Sequence, residues 1–297
     1  MSIKKAIFPV AGYGTRFLPA TKAQPKEMLP IVDKPIIQYL VEEAAEAGIE
    51  NIIFVTGRGK SSIENHFDYS VELDVKLMAK NKQALADAVN NISNLANFAY
   101  VRQPVQNGDG AAILCAKPFI DPDESVLVVF PDYIMPKENM TLKKMIDYFD
   151  KYQKPIIAAD IVDQSLVDQY GVIAFSETHT EDIVKIDTFV EKPLINEAPS
   201  TLINAGYSVI TPRVIKTLSH ADSTTKDGEI RLADAFIRLL EEGEQLYALV
   251  PPKHGYDCGS KIGFVKATVD YALQRDDLRE EFIQFLNHRV STLNEKK

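Results

Sequence analysis

The chain has 297 residues, of which 45% are hydrophobic and 25% are charged, and this composition is ordinary for a soluble globular protein with a sizeable core. Its formal net charge of −9 argues against a general nucleic-acid binder, because such a protein binds by neutralising phosphates with positive charge. No apolar run approaches the ~20 residues of a membrane span, and Cys115 and Cys258 lie far apart, as expected of a cytoplasmic protein without a cysteine-built zinc site.

Short β-branched runs alternate with amphipathic segments along the chain, which is typical of an α/β protein with a mostly parallel sheet covered by helices. The predicted strands lie near residues 4–10, 51–56, 98–103, 125–131, 155–161, 171–175, 183–190, 203–210 and 245–250. The predicted helices lie near residues 35–47, 60–67, 80–96, 109–117, 139–152, 211–219, 230–242 and 261–287. No internal repeat or Ser/Gly linker interrupts this order.

The loop after the first strand carries the strongest functional signal. Gly12 and Gly14 allow the backbone to turn sharply and to approach an anion closely with its N–H groups. Arg16 offers a planar fork for phosphate oxygens, and Lys22 and Lys26 add positive charge nearby. A protein with a negative net charge needs such a local concentration of positive charge to bind a triphosphate, so this pattern predicts a phosphate-binding loop.

Four prolines distinguish this loop from the dinucleotide-binding fingerprint of oxidoreductases. In that fingerprint a helix begins within the glycine run, and its N-terminus binds the pyrophosphate. Here Pro19, Pro25, Pro30 and Pro35 prevent a continuous helix until about residue 35, because proline lacks an N–H and disfavours helix in the residue before it. We therefore expect a stiffened functional loop and no dinucleotide site.

The segment Gly59-Lys60-Ser61 resembles the end of a P-loop and also follows a predicted strand. The first glycine of that motif would have to lie at position 54, which is Phe54. We interpret this segment as a strand-to-helix turn in which Ser61 or Ser62 lies near the helix cap.

Two aspartates are candidate ligands for a hard cation. Asp132 follows the predicted strand 125–131, at the carboxyl end where ligands of open α/β sheets bind. Asp257 follows a short strand around Gly255 and Tyr256. Mg²⁺ is typically held by one or two carboxylates while phosphates and water complete its shell, and a helix or turn cap is the alternative role for each aspartate.

Gly12-x-Gly14-Thr15-Arg16 followed by Pro25-Lys26-Glu27-Met28-Leu29-Pro30 resembles the signature loop of the sugar-1-phosphate nucleotidyltransferases. The longer stretch 18–35 most resembles the uridylyltransferases of this family. Further matches follow in the family's order over nearly the whole chain, at residues 63–68, 102–103, 170–172, 190–193 and 256–259.

The resemblance implies a fold, a reaction and an assembly. The expected fold is a Rossmann-like three-layer sandwich with a mixed, mostly parallel central sheet, formed by one catalytic domain over residues 1–260. Within it, a nucleotide-binding part covers about 1–135 and a sugar-binding part about 136–260, and a helical extension follows over 261–297. The expected reaction transfers a uridylyl group from UTP to glucose 1-phosphate, with Mg²⁺ as cofactor and a homodimer or homotetramer as the assembly.

The resemblance also assigns roles to individual residues. Those expected to bind the nucleotide are Ala11, Gly12, Gly14, Thr15, Gln103 and Gly108. Those expected to bind the sugar are Gly171, Glu191, Lys192, Asn204 and Gly206. The expected catalytic residues are Arg16, Lys26, Asp132 and Lys192, and Asp132 and Asp257 would hold the metal. No catalytic Ser, Cys or His is required, because the attacking phosphate oxygen is already an anion.

Two segments depart from the pattern of the uridylyltransferases, which typically have Gly-Leu-Gly-His-Ala near the base and Gly-Arg-Tyr near the sugar. This chain has Gly108-Asp109-Gly110-Ala111-Ala112 and Asn204-Ala205-Gly206-Tyr207. We expect Asp109 to cap the helix that starts there. Because both departures fall on specificity residues, the alternatives are dTTP or another sugar 1-phosphate as substrate, or a non-catalytic paralogue that binds nucleotide sugars.

Overall fold

The computed structural model of the protein describes residues 3–220 and 228–294. The strands in this part of the chain are β1 (Lys5–Pro9), β2 (Pro30–Ile31), β3 (Lys34–Pro35), β4 (Asn51–Thr56), β5 (Asn97–Arg102), β6 (Val126–Val129), β7 (Tyr133–Ile134), β8 (Ile156–Ile161), β9 (Gly171–Ala174), β10 (Glu177–Thr178), β11 (Ile183–Ile186), β12 (Thr188–Glu191), β13 (Leu202–Ile210), β14 (Leu246–Leu249) and β15 (Tyr256–Asp257). The α-helices are α1 (Ile36–Glu46), α2 (Ser61–Phe67), α3 (Val71–Ala79), α4 (Gln83–Ser93), α5 (Asp109–Ala116), α6 (Thr141–Tyr152), α7 (Pro212–Leu218), α8 (Leu232–Glu241), α9 (Lys261–Leu273) and α10 (Arg279–Asn294).

One 11-stranded sheet forms the centre of the molecule, in the order β10-β11-β14-β8-β13-β6-β1-β4-β5, with β9 beside β13 and β12 beside β9. Every strand of this sheet except β11, β12 and β13 points in the same direction. The predicted mixed, mostly parallel sheet is therefore confirmed.

Helices cover both faces of this sheet, because successive side chains of each strand point to opposite faces. On β1, Ala6 and Phe8 lie in the hydrophobic cluster that includes α1 and α6, whereas Ile7 lies in the cluster that includes α5, α7 and α8. All three side chains are fully buried. These two apolar layers produce the predicted three-layer sandwich.

The four strands β6, β1, β4 and β5 are mutually parallel, so their carboxyl ends lie at one edge of the sheet. Four loops leave this edge, and they begin after Pro9, Thr56, Arg102 and Val129. The edge therefore collects the glycine- and proline-rich loop, the Gly59 turn, Gln103 and Asp132, as the carboxyl-end rule for open α/β sheets predicts.

Two predicted elements are wrong in extent. The single helix predicted for 261–287 is two helices, α9 and α10, and the turn between them contains Arg275, whose guanidinium bonds to Asp277 and to the distant Asp33. The single strand predicted for 183–190 is two strands, because Asp187 marks the point where pairing changes from β11 with β14 to β12 with β9.

Helix α3 was not predicted. Its apolar residues Val71, Leu73 and Val75 recur at every second position, which is the period of a strand, and no residue of α3 is buried. The helix packs against α4 and leaves most of its apolar side chains in solvent. Where the structure describes the chain, no helix is both long and apolar enough to cross a membrane.

The proposed boundary at residue 260 falls where α9 begins. Helix α9 packs against β15 and β2, and α10 packs against α9. The division of the chain into two binding parts and a helical extension stays a prediction, and residues 295–297 of that extension lie outside the described residues.

Candidate active site

The loop between β1 and α1 folds into three single 3-10 turns, Thr15–Phe17, Ala20–Lys22 and Lys26–Met28, and then into the β2–β3 hairpin. The first α-helix of the described chain begins at Ile36, directly after Pro35, so the prolines delay the helix as predicted. We call residues 11–35 the glycine–proline loop.

Two glycines shape this loop in different ways. Gly14 adopts a left-handed conformation with φ of 64°, and a Cβ added to it would lie 3.0 Å from the Cβ of Lys26. The carbonyl oxygen of Gly14 also accepts a hydrogen bond of 2.7 Å from the Thr21 hydroxyl. Gly12 is exposed, and no described atom lies within 4 Å of the position that its Cβ would take. Gly14 thus places Lys26, and Gly12 leaves the backbone open to a ligand.

Lys26 and Asp132 join the glycine–proline loop to the end of β6. The Lys26 Nζ lies 2.6 Å from the Asp132 Oδ2, and the two side chains are 23% and 35% exposed. Burial opposes ionisation of Asp132, but the Lys26 ammonium and the Arg16 guanidinium outweigh it and lower the pKa of that carboxyl. Arg16 is exposed and forms no ion pair with a described residue, and its positive charge acts on Asp132.

The second predicted metal ligand, Asp257, faces Asp132 across Gly259. A Cβ on Gly259 would lie 2.9 Å from the Asp257 Oδ1 and 3.2 Å from the Asp132 Oδ2. The Gly259 N–H donates to the Asp257 Oδ1 and to the Asp132 main-chain oxygen, at 2.9 and 3.0 Å. Two carboxylate oxygens therefore border one small space that only glycine leaves open.

This arrangement fits Mg²⁺ held by a pair of carboxylates and completed by substrate phosphates. Among residues 3–220 and 228–294, no group of three or more His, Cys, Asp or Glu side chains converges into a closed metal cage. The two carboxylates of Asp132 and Asp257 therefore fit a metal whose remaining ligands come from outside the protein.

The buried carboxylate of Asp160, which is 4% exposed, anchors the β7–β15 ribbon that carries these two aspartates. It accepts hydrogen bonds from the Tyr133 hydroxyl at 2.7 Å, from the Gly255 N–H at 2.7 Å and from the Ile161 N–H at 2.7 Å, and His254 Nδ1 lies 2.6 Å away. The ribbon is thereby fixed to the end of β8.

Three of the predicted sugar residues lie on or directly after β9 and β12, where Gly171 is paired with Glu191 and Lys192 follows. A Cβ on Gly171 would lie 2.5 Å from the Phe189 ring and 2.9 Å from the Glu191 Oε2, so only glycine leaves the carboxylate in this position. Burial raises the pKa of Glu191, and the Lys192 ammonium, 3.8 Å from the Glu191 Oε1, opposes that shift.

Lys192 follows β12 in a left-handed conformation, with φ of 47°. Such a conformation costs a non-glycine residue about 1–3 kcal/mol, and it is retained here by the hydrogen bond of 3.0 Å from the Lys192 N–H to the Tyr170 carbonyl oxygen. The side chain is 49% exposed, so its ammonium is accessible to a phosphate.

Tyr170 connects Asp257 to Lys192. Its hydroxyl donates to the Asp257 Oδ2 at 2.6 Å, and its carbonyl oxygen binds the Lys192 N–H. Burial, reinforced by the Asp257 carboxylate, raises the pKa of Tyr170, so the hydroxyl keeps its proton as a donor at neutral pH.

The two residues predicted to recognise the base are in contact. Gln103 is buried, and its Nε2 donates to the Gly108 carbonyl oxygen at 3.1 Å. Gly108 has φ of 111°, and a Cβ on it would lie 2.1 Å from the Ile230 oxygen. Ile230 binds the same loop through Asn107 and Gly110, so the segment before α8 forms one wall beside Gln103.

The predicted cap at Asp109 requires a correction. Asp109 is the first residue of α5, but its Oδ1 accepts the N–H of Leu232, at 2.8 Å, and therefore caps the start of α8. Burial, with a smaller contribution from the Glu191 carboxylate, raises the pKa of Asp109 to about 6 in spite of this hydrogen bond.

Asp109→Asn should change how stability depends on pH. Because the folded pKa of Asp109, about 6, exceeds its value of 3.8 in an unfolded chain, wild-type stability falls as pH rises from about 4 to 6 through this group, by about 2–3 kcal/mol. Asparagine keeps the acceptor for Leu232 and cannot ionise. We therefore expect the free energy of unfolding in urea, relative to that of wild type, to be higher for the variant at pH 7.5 than at pH 4.5. An equal difference at both pH values would contradict this origin.

Asn204 and Gly206 lie in a β-bulge of β13, where the register against β8 shifts. The Asn204 Oδ1 accepts the N–H of Gly206 at 2.9 Å, and Gly206, with φ of 84°, binds the N–H of Phe130 through its carbonyl oxygen. The bulge thus adjoins the loop that leads to Asp132, and the sugar-binding role of Asn204 and Gly206 stays a prediction.

Known proteins resemble this chain over nearly its whole length. A family model described as nucleotidyl transferase matches residues 5–274. The chain belongs to this family. It is 45% identical over 284 residues to UTP–glucose-1-phosphate uridylyltransferase 2 of Staphylococcus saprophyticus, a match that covers 96% of this chain and 97% of that protein.

Solved structures of similar proteins share the fold. The UTP-bound UGPase from Acinetobacter baumannii is 38% identical, with a TM-score of 0.86 over 96% of this chain and 98% of that chain. A UDP-glucose pyrophosphorylase complexed with UDP-glucose is 40% identical, with a TM-score of 0.82 over 92% of this chain and 100% of that chain. The family predicted from residues 12–30 is confirmed.

Sequence reasoning missed three residues whose side chains make contacts at or near the predicted site residues, namely Tyr170, Asp160 and Lys60, whose Nζ lies 2.8 Å from the Glu27 Oε2. Tyr170 was noted only as part of a motif, and Lys60 only as an incomplete P-loop. Asp160 had a usable signal, since an aspartate in the otherwise apolar run of strand β8 must find buried hydrogen-bond donors.

Proposed function

We propose that the protein transfers a uridylyl group from UTP to α-D-glucose 1-phosphate and releases UDP-glucose and pyrophosphate. The observation that carries this proposal is the convergence of the Lys26–Asp132 pair and Asp257 on the space above Gly259. The similarity to uridylyltransferases over 96% of the chain supports the choice of substrates.

In this proposal the glycine–proline loop binds the triphosphate. The backbone at Ala11, Gly12, Gly14 and Thr15 approaches the phosphates, and Arg16 and Lys26 neutralise the α-phosphate and the departing pyrophosphate. Asp132 and Asp257 would hold Mg²⁺, which supplies further neutralisation of phosphate charge when bound.

The sugar half would orient the nucleophile. Glu191, held beside Gly171, accepts hydrogen bonds from sugar hydroxyls, and the exposed Lys192 ammonium binds the sugar phosphate. An oxygen of that phosphate forms a bond to the α-phosphorus of UTP, while the bond from that phosphorus to the bridging oxygen of pyrophosphate breaks. The attacking oxygen is already an anion, so the residues act by positioning and neutralisation.

Gln103 and the Gly108 backbone would recognise the uracil. We further propose that the chain acts in the cytoplasm as a homodimer or homotetramer. The apolar side chains that α10 leaves exposed, among them Phe285, Val290 and Leu293, support a subunit contact.

A substrate panel tests this function. The purified protein is incubated with Mg²⁺ and UTP, dTTP, CTP, ATP or GTP, each paired with glucose, galactose or N-acetylglucosamine 1-phosphate, and pyrophosphate release is followed. We expect the highest kcat/KM for UTP with glucose 1-phosphate. A preference for another pair would mean that the altered residues Ala111 and Asn204 change the substrate specificity. If no pair releases pyrophosphate although the protein binds nucleotide sugar, the non-catalytic paralogue is favoured.

Gly171→Ala should weaken use of the sugar phosphate selectively. The new Cβ would displace Glu191, and misplacement by about 1 Å costs on the order of 100-fold in kcat/KM for the sugar phosphate. The KM for UTP should stay unchanged. Gly243→Ala is the control for an added methyl group, since no described atom lies within 4 Å of the position that the Gly243 Cβ would take. Gly243 has a φ of 80°, so any strain from this control affects stability and not the position of Glu191. Equal kinetics of the two variants would contradict this role of Gly171.

A further inference from the structure

A buried ion pair joins the glycine–proline loop to the turn between β4 and α2. The Lys60 Nζ is 2.8 Å from the Glu27 Oε2, and the side chains of Lys60 and Glu27 are 6% and 1% exposed. A P-loop lysine must reach phosphate oxygens, whereas the ammonium of Lys60 is turned inward onto a carboxylate. The Gly59-Lys60-Ser61 segment therefore contributes something other than direct phosphate binding.

Glu27 is the neighbour of Lys26 in the Lys26–Met28 turn. The Lys26 ammonium binds Asp132 at 2.6 Å, whereas the carboxylate of the next residue, Glu27, is buried and needs a cation of its own. A Glu27 carboxylate without such a partner would compete with Asp132 for Lys26.

The partner of Glu27 decides this competition. A buried carboxylate without a partner is strongly unfavourable, so it must either take up a proton or attract another cation. Lys60 reaches Glu27 from the turn between β4 and α2, and β4 and β6 lie on either side of β1 in the sheet. With Lys60 in place, the charge of Glu27 is already neutralised.

We propose that Lys60 is a positioning residue for Lys26, because its ion pair with Glu27 leaves the Lys26 ammonium free to bind Asp132 and the phosphates of UTP. This inference rests on the proposed function of the site. It assigns a role to a turn that the phosphate chemistry does not otherwise use.

The proposal predicts unequal effects of removing the two partners. Lys60→Met leaves Glu27 unpaired beside Lys26, and we expect kcat/KM for UTP to fall on the order of 100-fold, with KM for glucose 1-phosphate unchanged. Glu27→Gln removes the competing carboxylate, and Lys60, whose pKa burial already lowers, can lose its proton. We expect this variant to stay within about 10-fold of wild type. The double variant should match Glu27→Gln.

Binding of UTP, measured by isothermal titration calorimetry without sugar phosphate, separates this inference from the proposed function. Lys60→Met should weaken UTP binding more than Glu27→Gln does. Lys4→Met is the matched control, because Lys4 forms an exposed pair with Glu50 at 2.7 Å, and its affinity should equal that of wild type. A wild type that binds UTP without turnover would overturn the proposed reaction alone.

Three results would overturn the role of Lys60. Equal losses of UTP affinity in Lys60→Met and Glu27→Gln would mean that the ion pair has only a structural role. Wild-type UTP affinity in Lys60→Met would mean that Lys60 does not position Lys26. If Lys60→Met does not fold, UTP binding by the single variant Glu27→Gln is compared with UTP binding by the double variant that carries both substitutions. A further loss on the order of 100-fold in that double variant would mean that Lys60 acts on the phosphates itself.

Discussion

Asp132→Asn should lower kcat by on the order of 1,000-fold, because it removes negative charge from the site while it preserves the shape of the side chain. The Asp132 Oδ2 binds Lys26 at 2.6 Å and borders the space above Gly259 that Asp257 shares. With only the Asp257 carboxylate left, Mg²⁺ should bind more weakly, so the Mg²⁺ concentration for half-maximal pyrophosphate release should also rise.

Asp182→Asn is the matched control for this result. The Asp182 Oδ2 lies 2.9 Å from the Lys144 Nζ in a pair of similar exposure, with side chains 18% and 33% exposed. The main chain of Asp182 binds Val250 directly after β14, which β8 and β13 separate from β6, and we expect the loss of this pair to leave kcat unchanged. A kcat for Asp132→Asn within 10-fold of wild type, from a folded protein, would exclude Asp132 as the principal metal ligand.

Lys26→Met should lower kcat/KM for UTP by about 100–1,000-fold. The substitution keeps much of the apolar stem that packs on Gly14 and removes the ammonium, so the loss measures charge rather than packing. We expect a lower kcat and a higher KM for UTP, since Lys26 is proposed to neutralise the bound triphosphate and the departing pyrophosphate.

Lys144→Met provides the control with equal chemistry, since Lys144 is a half-buried lysine paired with an aspartate. Its kinetics should match those of wild type. If both methionine variants lose activity to the same degree, the effect of Lys26→Met reflects general destabilisation, and the assignment of Lys26 to the phosphates is wrong.

The parts of the site that could be predicted from sequence depend on local patterns. Gly12, Gly14 and Arg16 follow one strand, and Asp132 follows another, so the carboxyl-end rule places them at one edge without knowledge of any contact. The proline spacing likewise fixes where α1 begins. Such features can be predicted because turns and strand ends depend mainly on residues that are adjacent in the sequence.

The contacts that give the site its chemistry join residues far apart in the chain. Lys26 pairs with a carboxylate 106 positions away, and Asp109 caps a helix 123 positions away instead of its own. No local pattern encodes such partners. Local patterns can also mislead, because the apolar residues of α3 follow the period of a strand although they form a helix that packs mainly against α4.

Transfer of a labelled phosphorus tests the central claim most directly. Wild-type protein is incubated with Mg²⁺, glucose 1-phosphate and UTP that carries ³²P at the α-position or, in a second reaction, at the γ-position. The proposed reaction predicts that the α-label appears in UDP-glucose and the γ-label in pyrophosphate, and that chelation of the metal prevents both. Release of γ-label as inorganic phosphate, or α-label that never enters a nucleotide sugar, would contradict uridylyl transfer.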